Sequence, residues 1–123
     1  MCRALIVEEN LIFREAFRTE LLHRLPFILI QEAKDGREAM EKIHLIPPSL
    51  IFMDICLPGL DGLELAQKIK KDFPRIRIAM LTGYDFPEYR RAASQYGAER
   101  YFVKDSLDWK EIKEFVQDIP KNN

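Results

Sequence analysis

Asp54 ends the apolar run Leu50-Ile51-Phe52-Met53 and precedes Ile55-Cys56-Leu57-Pro58-Gly59-Leu60-Asp61-Gly62. A lone carboxylate between a buried strand and a Pro/Gly turn is poorly placed for packing. It is well placed for chemistry, because open α/β sheets bind ligands beyond the carboxyl ends of their strands. Other polar residues fall at equivalent points: Glu8 and Glu9 after Leu5-Ile6-Val7, Thr82 after Ile76–Leu81, and Lys104 after Tyr101-Phe102-Val103. Clustered carboxylates repel one another, which raises their pKa values or recruits a cation. A hard divalent cation such as Mg²⁺ takes oxygen ligands and keeps several waters. With a metal present, Asp54 could attack a phosphorus centre as a carboxylate nucleophile. Thr82 could donate a hydrogen bond to one phosphoryl oxygen, and Lys104 could pair with another as a compact charge. Phosphoryl transfer needs this combination of positioning and charge neutralisation.

The elements that must position these groups alternate regularly. Leu5-Ile6-Val7 reads as a first strand. Asn10 can cap a helix whose Phe13, Phe17, Leu21 and Leu25 recur every four residues, and Pro26 breaks it. Phe27–Ile30 gives a second strand. Asp35 starts a helix with Ala39, Ile43 and Ile46 inward, ended by Pro47-Pro48. Leu50–Met53 is the third strand. The helix from Gly62 to Lys71 carries Leu65, Ala66 and Ile69 on one stripe, with Asp61 as its cap, and Ile76–Leu81 is the fourth strand. Pro87 suits the first turn of a helix whose Tyr89-Ala92-Ala93-Tyr96 stripe is mainly core, and Gly97 closes it. Tyr101–Val103 is the fifth strand. Ser106 caps a last helix with Ile112, Val116 and Ile119 inward, and Pro120-Lys121-Asn122-Asn123 reads as a domain end.

Five strand–helix units in 123 residues imply one α/β domain, 1–123, with a doubly wound parallel sheet and helices on both faces. Right-handed crossovers leave few topologies, of which strand order 2-1-3-4-5 is the expected one. Apolar and charged fractions of 47% and 32% are those of a soluble globular chain. A net charge of -1 and the absence of a basic stripe argue against direct nucleic-acid binding and against an anionic membrane surface. No apolar stretch is long enough to span a bilayer, and residues 1–9 do not form a secretory signal. Two cysteines, Cys2 and Cys56, form no disulfide framework or metal-spacing pattern, so a reducing cytoplasm is the expected location. His23 and His44 fall on surface positions of helices without evident partners.

The ordered set Glu8-Glu9, Asp54, Thr82 and Lys104, together with Leu57-Pro58-Gly59-Leu60-Asp61-Gly62, resembles the receiver domain of two-component response regulators, a flavodoxin-like fold. The resemblance covers essentially the whole chain. Asp35-Gly36-Arg37-Glu38-Ala39 and the stretch from Gly97 through Lys104-Asp105-Ser106 look closest to the NarL/FixJ-type subfamily. The resemblance implies that Asp54 is the phosphoacceptor for a histidine kinase. It implies that Glu9 ligates Mg²⁺ directly, Glu8 through water, and Cys56 by its backbone carbonyl, beside Asp54 itself. Thr82 and Tyr101 match the switch pair, Lys104 the phosphate-pairing lysine, and Gly83 a position kept small for access. It further implies a signalling module rather than an enzyme, whose switched surface includes the fourth helix, fifth strand and fifth helix. Subfamily members usually carry a C-terminal helix-turn-helix domain that binds DNA, so such a domain after Asn123, or a receiver homodimer, is the expected output.

Two residues depart from the family pattern. Glu9 is one methylene longer than the usual Asp, which handicaps octahedral Mg²⁺ geometry. Asp105 stands where many receivers have a proline preceded by a cis bond, so a trans bond is expected here. The alternatives are a pseudo-receiver acting purely as an interaction module, or a stand-alone single-domain receiver. An Asp-nucleophile phosphatase would need a second acid two residues after Asp54, where Cys56 stands, and a flavin-binding loop would replace the acids after the first strand.

Overall fold

The computed structural model describes residues 2–118 and contains one five-stranded parallel sheet of order β2-β1-β3-β4-β5. The elements run β1 Arg3–Val7, α1 Leu11–Arg24, β2 Leu29–Ala33, α2 Gly36–Leu45, β3 Leu50–Asp54, α3 Gly62–Asp72, β4 Arg77–Thr82, α4 Pro87–Gln95, β5 Arg100–Val103 and α5 Trp109–Gln117. This is the expected doubly wound architecture. Alternation along each strand divides the core in two. Leu5, Val7, Ile51, Met53, Ile78 and Met80 face α2, α3 and α4. Ala4, Ile6, Leu50, Phe52, Ala79 and Leu81 face α1 and α5. Phe52 is fully buried at the centre of the second layer, with Phe17 and Phe115 edge-on at 5.0 and 5.5 Å.

Helix starts follow side-chain chemistry. Asn10 accepts from the Phe13 amide, Asp35 from that of Glu38, and Asp61 from that of Leu63, as expected of capping residues. Gly97 follows α4 at φ 105, a left-handed conformation in which glycine carries no Cβ penalty. No cis peptide bond occurs among the described residues, so the bond after Lys104 is trans.

The structure corrects several local expectations. β2 lies at Leu29–Ala33 rather than Phe27–Ile30, because an edge strand tolerates the polar Gln31 and Glu32 on it. Ile46 is the C-cap of α2 and is exposed, not inward. Of the α4 stripe only Ala93 is buried. Tyr89 is exposed, and Ala92 and Tyr96 are half-buried, because α4 leans on the sheet by one short residue. Ser106 does not cap α5. Residues Lys104–Ser106 form a single 3-10 turn, and Asp108 accepts from the Glu111 amide instead. His23 and His44 are exposed as expected, but His44 has partners: Nδ1 lies 2.8 Å from the Met40 carbonyl oxygen and its ring meets Phe73 edge-on. Ile119 and the tail Pro120–Asn123 lie outside the described residues.

Candidate functional site

Parallel pairing brings the strand ends together. Asp54 pairs with Leu81 in the ladder and Thr82 with Val103, so Asp54, Thr82 and Lys104 leave the sheet at the same edge. Gly62 lets α3 approach this edge closely: its amide donates to the Ile55 carbonyl at 2.8 Å, and a Cβ on it would lie 2.3 Å from the Asp54 carbonyl oxygen.

Asp54 is 7% exposed. Its Oδ1 accepts from the Cys56 amide at 3.1 Å and its Oδ2 from Lys104 Nζ at 3.0 Å. The same ammonium lies 2.6 Å from Glu8 Oε1 and 4.7 Å from the centroid of the Phe13 ring. Glu8 is 1% exposed. Its Oε2 accepts from the Asn10 amide at 2.9 Å, and its backbone oxygen accepts from Arg14 at 2.6 Å. Glu8 Oε1 is buried and faces the Lys104 ammonium in a close ion pair. Burial pushes the Glu8 carboxyl up, against the opposing pull of Lys104. Burial also acts to lower the Lys104 pKa, but its bonds to Glu8 and Asp54 outweigh this and hold it raised. The lysine is therefore firmly charged between two acids, one of which is strained by desolvation. Glu9, by contrast, is exposed.

Thr82 is buried, and its Oγ1 accepts from the Tyr84 amide at 3.2 Å. The Tyr101 hydroxyl donates to the Tyr84 carbonyl at 2.6 Å, while Arg90 stacks on the Tyr101 ring at 4.7 Å. The backbone of one residue, Tyr84, is thus held at one end by Thr82 and at the other by Tyr101. Burial raises the Tyr101 phenol, so it remains a donor at neutral pH. Nothing lies within 4 Å of where a Cβ on Gly83 would be, which leaves open space beside Thr82. The Cys56 side chain is exposed, and its thiol is raised by partial burial and then by the charge of Asp54, which disfavours the thiolate.

The structure brings Glu8, Asp54, Thr82, Lys104 and Tyr101 to one edge and leaves Glu9 exposed beyond β1. Sequence reasoning missed Phe13, Arg14, Tyr84 and Arg90. Phe13 read simply as a helix-face apolar residue, and no local pattern signals its contact with a lysine after β5. Among the described residues, no group of three or more His, Cys, Asp or Glu side chains stands close enough to hold a metal ion alone. The donor set still fits Mg²⁺, which needs only one or two carboxylates and otherwise keeps its waters. Glu8 and Asp54 would supply the carboxylates, whose charge Lys104 Nζ meets at 2.6 and 3.0 Å in this structure.

The family model described as "Response regulator receiver domain" matches residues 4–117. The response regulator protein VraR of Staphylococcus saprophyticus is 34% identical over 104 residues, covering 83% of this chain and 49% of that protein. The chain thus spans about half the length of this curated relative. Among solved structures, the signal receiver domain of the putative response regulator NarL from Mycobacterium tuberculosis superposes with a TM-score of 0.84 at 28% identity, covering 99% of this chain and 98% of that one. The response regulator TrrA from Thermotoga maritima, in complex with Mg²⁺ and BeF, gives a TM-score of 0.82 at 35% identity, covering 96% and 98%. With the fold, the strand-end site and a family match spanning nearly its whole length in agreement, the chain belongs to the response regulator receiver domain family of two-component systems.

Proposed function

We propose that residues 1–123 form a phosphoacceptor receiver in which Asp54 takes a phosphoryl group from a histidine kinase and switches an output surface. The single observation that carries this reading is Lys104 Nζ, 3.0 Å from Asp54 Oδ2 at the carboxyl edge of the sheet, with a second buried acid beside it. Bound Mg²⁺ would neutralise the charge of the transferring phosphoryl group. Asp54, Glu8 and the Cys56 carbonyl would hold it, with the longer, exposed Glu9 reaching it directly or through water. An Asp54 oxygen attacks phosphorus as the bond to the donor's leaving group breaks, and the product is an acyl phosphate. Lys104 leaves Asp54 Oδ2 and pairs with a phosphoryl oxygen. Thr82 turns its hydroxyl toward another and releases the Tyr84 amide. Tyr101, tied to the Tyr84 carbonyl, then senses the change, and α4, β5 and α5 carry it outward as a shift between two conformations.

The domain is a signalling module and not an enzyme, although it supplies groups for its own phosphorylation. Its setting is the cytoplasm. No helix among the described residues is long and apolar enough to cross a membrane. The output lies in a helix-turn-helix domain outside this chain, or in a receiver homodimer, and this chain alone does not bind DNA. The length of VraR, about twice the matched segment, supports the first. A second reading, the pseudo-receiver, is favoured by one observation: Lys104 is clamped to both Glu8 and Asp54, while Glu9 is exposed. Intact-mass measurement after incubation with acetyl phosphate and Mg²⁺ separates the two. One phosphate adduct on the wild type and none on Asp54→Asn supports the phosphoacceptor. An unmodified wild type, with no Mg²⁺ binding by calorimetry, means a pseudo-receiver.

A further inference from the structure

We propose that Phe13 is a positioning residue for Lys104, holding the ammonium at the phosphoryl site through the face of its ring; this rests on the phosphoacceptor reading above. The Lys104 ammonium has three donors and three neighbours: Glu8 Oε1 at 2.6 Å, Asp54 Oδ2 at 3.0 Å and the Phe13 centroid at 4.7 Å. The two carboxylates anchor the lysine but also occupy it. When an Asp54 oxygen attacks phosphorus, Lys104 is needed at the incoming phosphoryl group, so one of its donors turns from Asp54 Oδ2 to a phosphoryl oxygen. A ring face attracts a cation without a lone pair and without fixing its hydrogen bonds. Phe13 therefore keeps the charge at the sheet edge while a donor N–H turns from Asp54 to the incoming phosphoryl oxygen.

The ring is braced for this role. Phe13 stacks on Phe17 at 5.7 Å with an interplanar angle of 13°. Phe17 is buried, stacks on Trp109 at 5.5 Å and meets Phe52 edge-on at 5.0 Å. A ring fixed on one side by this stack cannot turn away when the lysine loses a carboxylate partner. An aliphatic side chain of similar volume would fill the space but would offer the ammonium no attraction, so the role belongs to the π-face and not to packing.

The test compares Phe13→Leu, which keeps volume, with Phe13→Tyr, which keeps the ring. Phosphorylation is followed by intact mass at saturating acetyl phosphate with Mg²⁺, beside the NMR resonance of the Lys104 ε-methylene protons. We expect the maximal rate constant of Phe13→Leu to fall about three- to tenfold, with little change in the acetyl phosphate concentration at half-maximal rate. Phe13→Tyr restores the rate. The Lys104 ε protons show an upfield ring-current shift in the wild type and in Phe13→Tyr, lost in Phe13→Leu. A Phe13→Leu rate equal to wild type, a Phe13→Tyr rate as low as that of Phe13→Leu, or a Lys104 resonance indifferent to the ring overturns the inference and leaves the phosphoacceptor reading intact. A wild type that takes no phosphate removes both.

Discussion

Two helices of this chain open on the same dipeptide, Asp35-Gly36 and Asp61-Gly62, yet alanine at the two glycines should have opposite effects. Neither glycine has a positive φ, so backbone conformation does not forbid alanine at either. The distances decide. A Cβ on Gly62 would lie 2.3 Å from the Asp54 carbonyl oxygen, 2.8 Å from Ile55 Cα and 2.8 Å from the Ile55 oxygen, all of them backbone atoms. Ordinary contact begins near 3.4 Å, so the start of α3 must retreat from β3 by about 1 Å. That overpacking costs about 1–3 kcal/mol. The retreat also stretches the 2.8 Å bond from the Gly62 amide to Ile55, a further loss of about 0.5–1.5 kcal/mol. We expect Gly62→Ala to lose about 2–4 kcal/mol, or roughly 10 °C in Tm for a domain of this size. At Gly36 the nearest atoms are Leu60 Cδ2 at 3.2 Å and Leu65 Cδ2 at 3.4 Å, ends of flexible side chains that can turn. Gly36→Ala should be neutral or stabilising by up to about 1 kcal/mol, because alanine restricts the unfolded chain. Urea titration followed by circular dichroism measures both. The displaced β3–α3 junction carries Asp54, so Gly62→Ala should also slow phosphorylation from acetyl phosphate. A Gly62→Ala variant within about 1 kcal/mol of wild type, or equal losses at both glycines, would refute the reasoning.

Other outcomes follow from single contacts. Asp108→Ala should cost about 1 kcal/mol in urea titration as the α5 cap is lost, whereas Ser106→Ala stays within about 0.5 kcal/mol. The Glu99 carboxyl is held below its usual range by its hydrogen bonds from Arg77, against a smaller opposing effect of burial. A depressed acid contributes stability above its unfolded pKa and loses it as pH falls through the folded value. Glu99→Gln should therefore flatten the acid limb of a stability–pH curve, by less than about 1 kcal/mol for a pair this exposed. Glu9→Asp, one methylene shorter, should bind Mg²⁺ more tightly by calorimetry, and equal affinity would remove the geometric objection to Glu9.

The layout of the sheet was legible because strands covered on both faces are nearly continuous apolar runs, as in Leu50–Met53. The edge strand β2 was misplaced for the same reason. Its apolar run ends at Ile30, partway along the strand, and its Glu32 pairs with Arg14 and Arg18 of α1. The strand-end residues Asp54, Thr82 and Lys104 were legible from order alone, since parallel strands must end at one edge. Which of Glu8 and Glu9 turns inward was not, because adjacent acids in a loop carry no period. The structure turns Glu8 in, fixed by the Asn10 amide and by Arg14 on its backbone oxygen. Contacts such as Phe13 with Lys104, or Tyr101 with the Tyr84 carbonyl, join residues remote in sequence and depend on how α1 and the β4–α4 loop pack. The α5 cap was read two residues early because the 3-10 turn at Lys104–Ser106 delays the helix.

The most direct test of the phosphoacceptor assignment is to trap the bond itself. An acyl phosphate on a carboxyl side chain is reduced by borohydride to the corresponding alcohol, so phosphorylated Asp54 becomes homoserine, while free carboxylates are untouched. Treating the protein with acetyl phosphate and Mg²⁺, then borohydride, and sequencing its peptides by mass spectrometry should place homoserine at position 54 and nowhere else. Homoserine at another aspartate, or none in a sample whose intact mass shows a phosphate adduct, would contradict it.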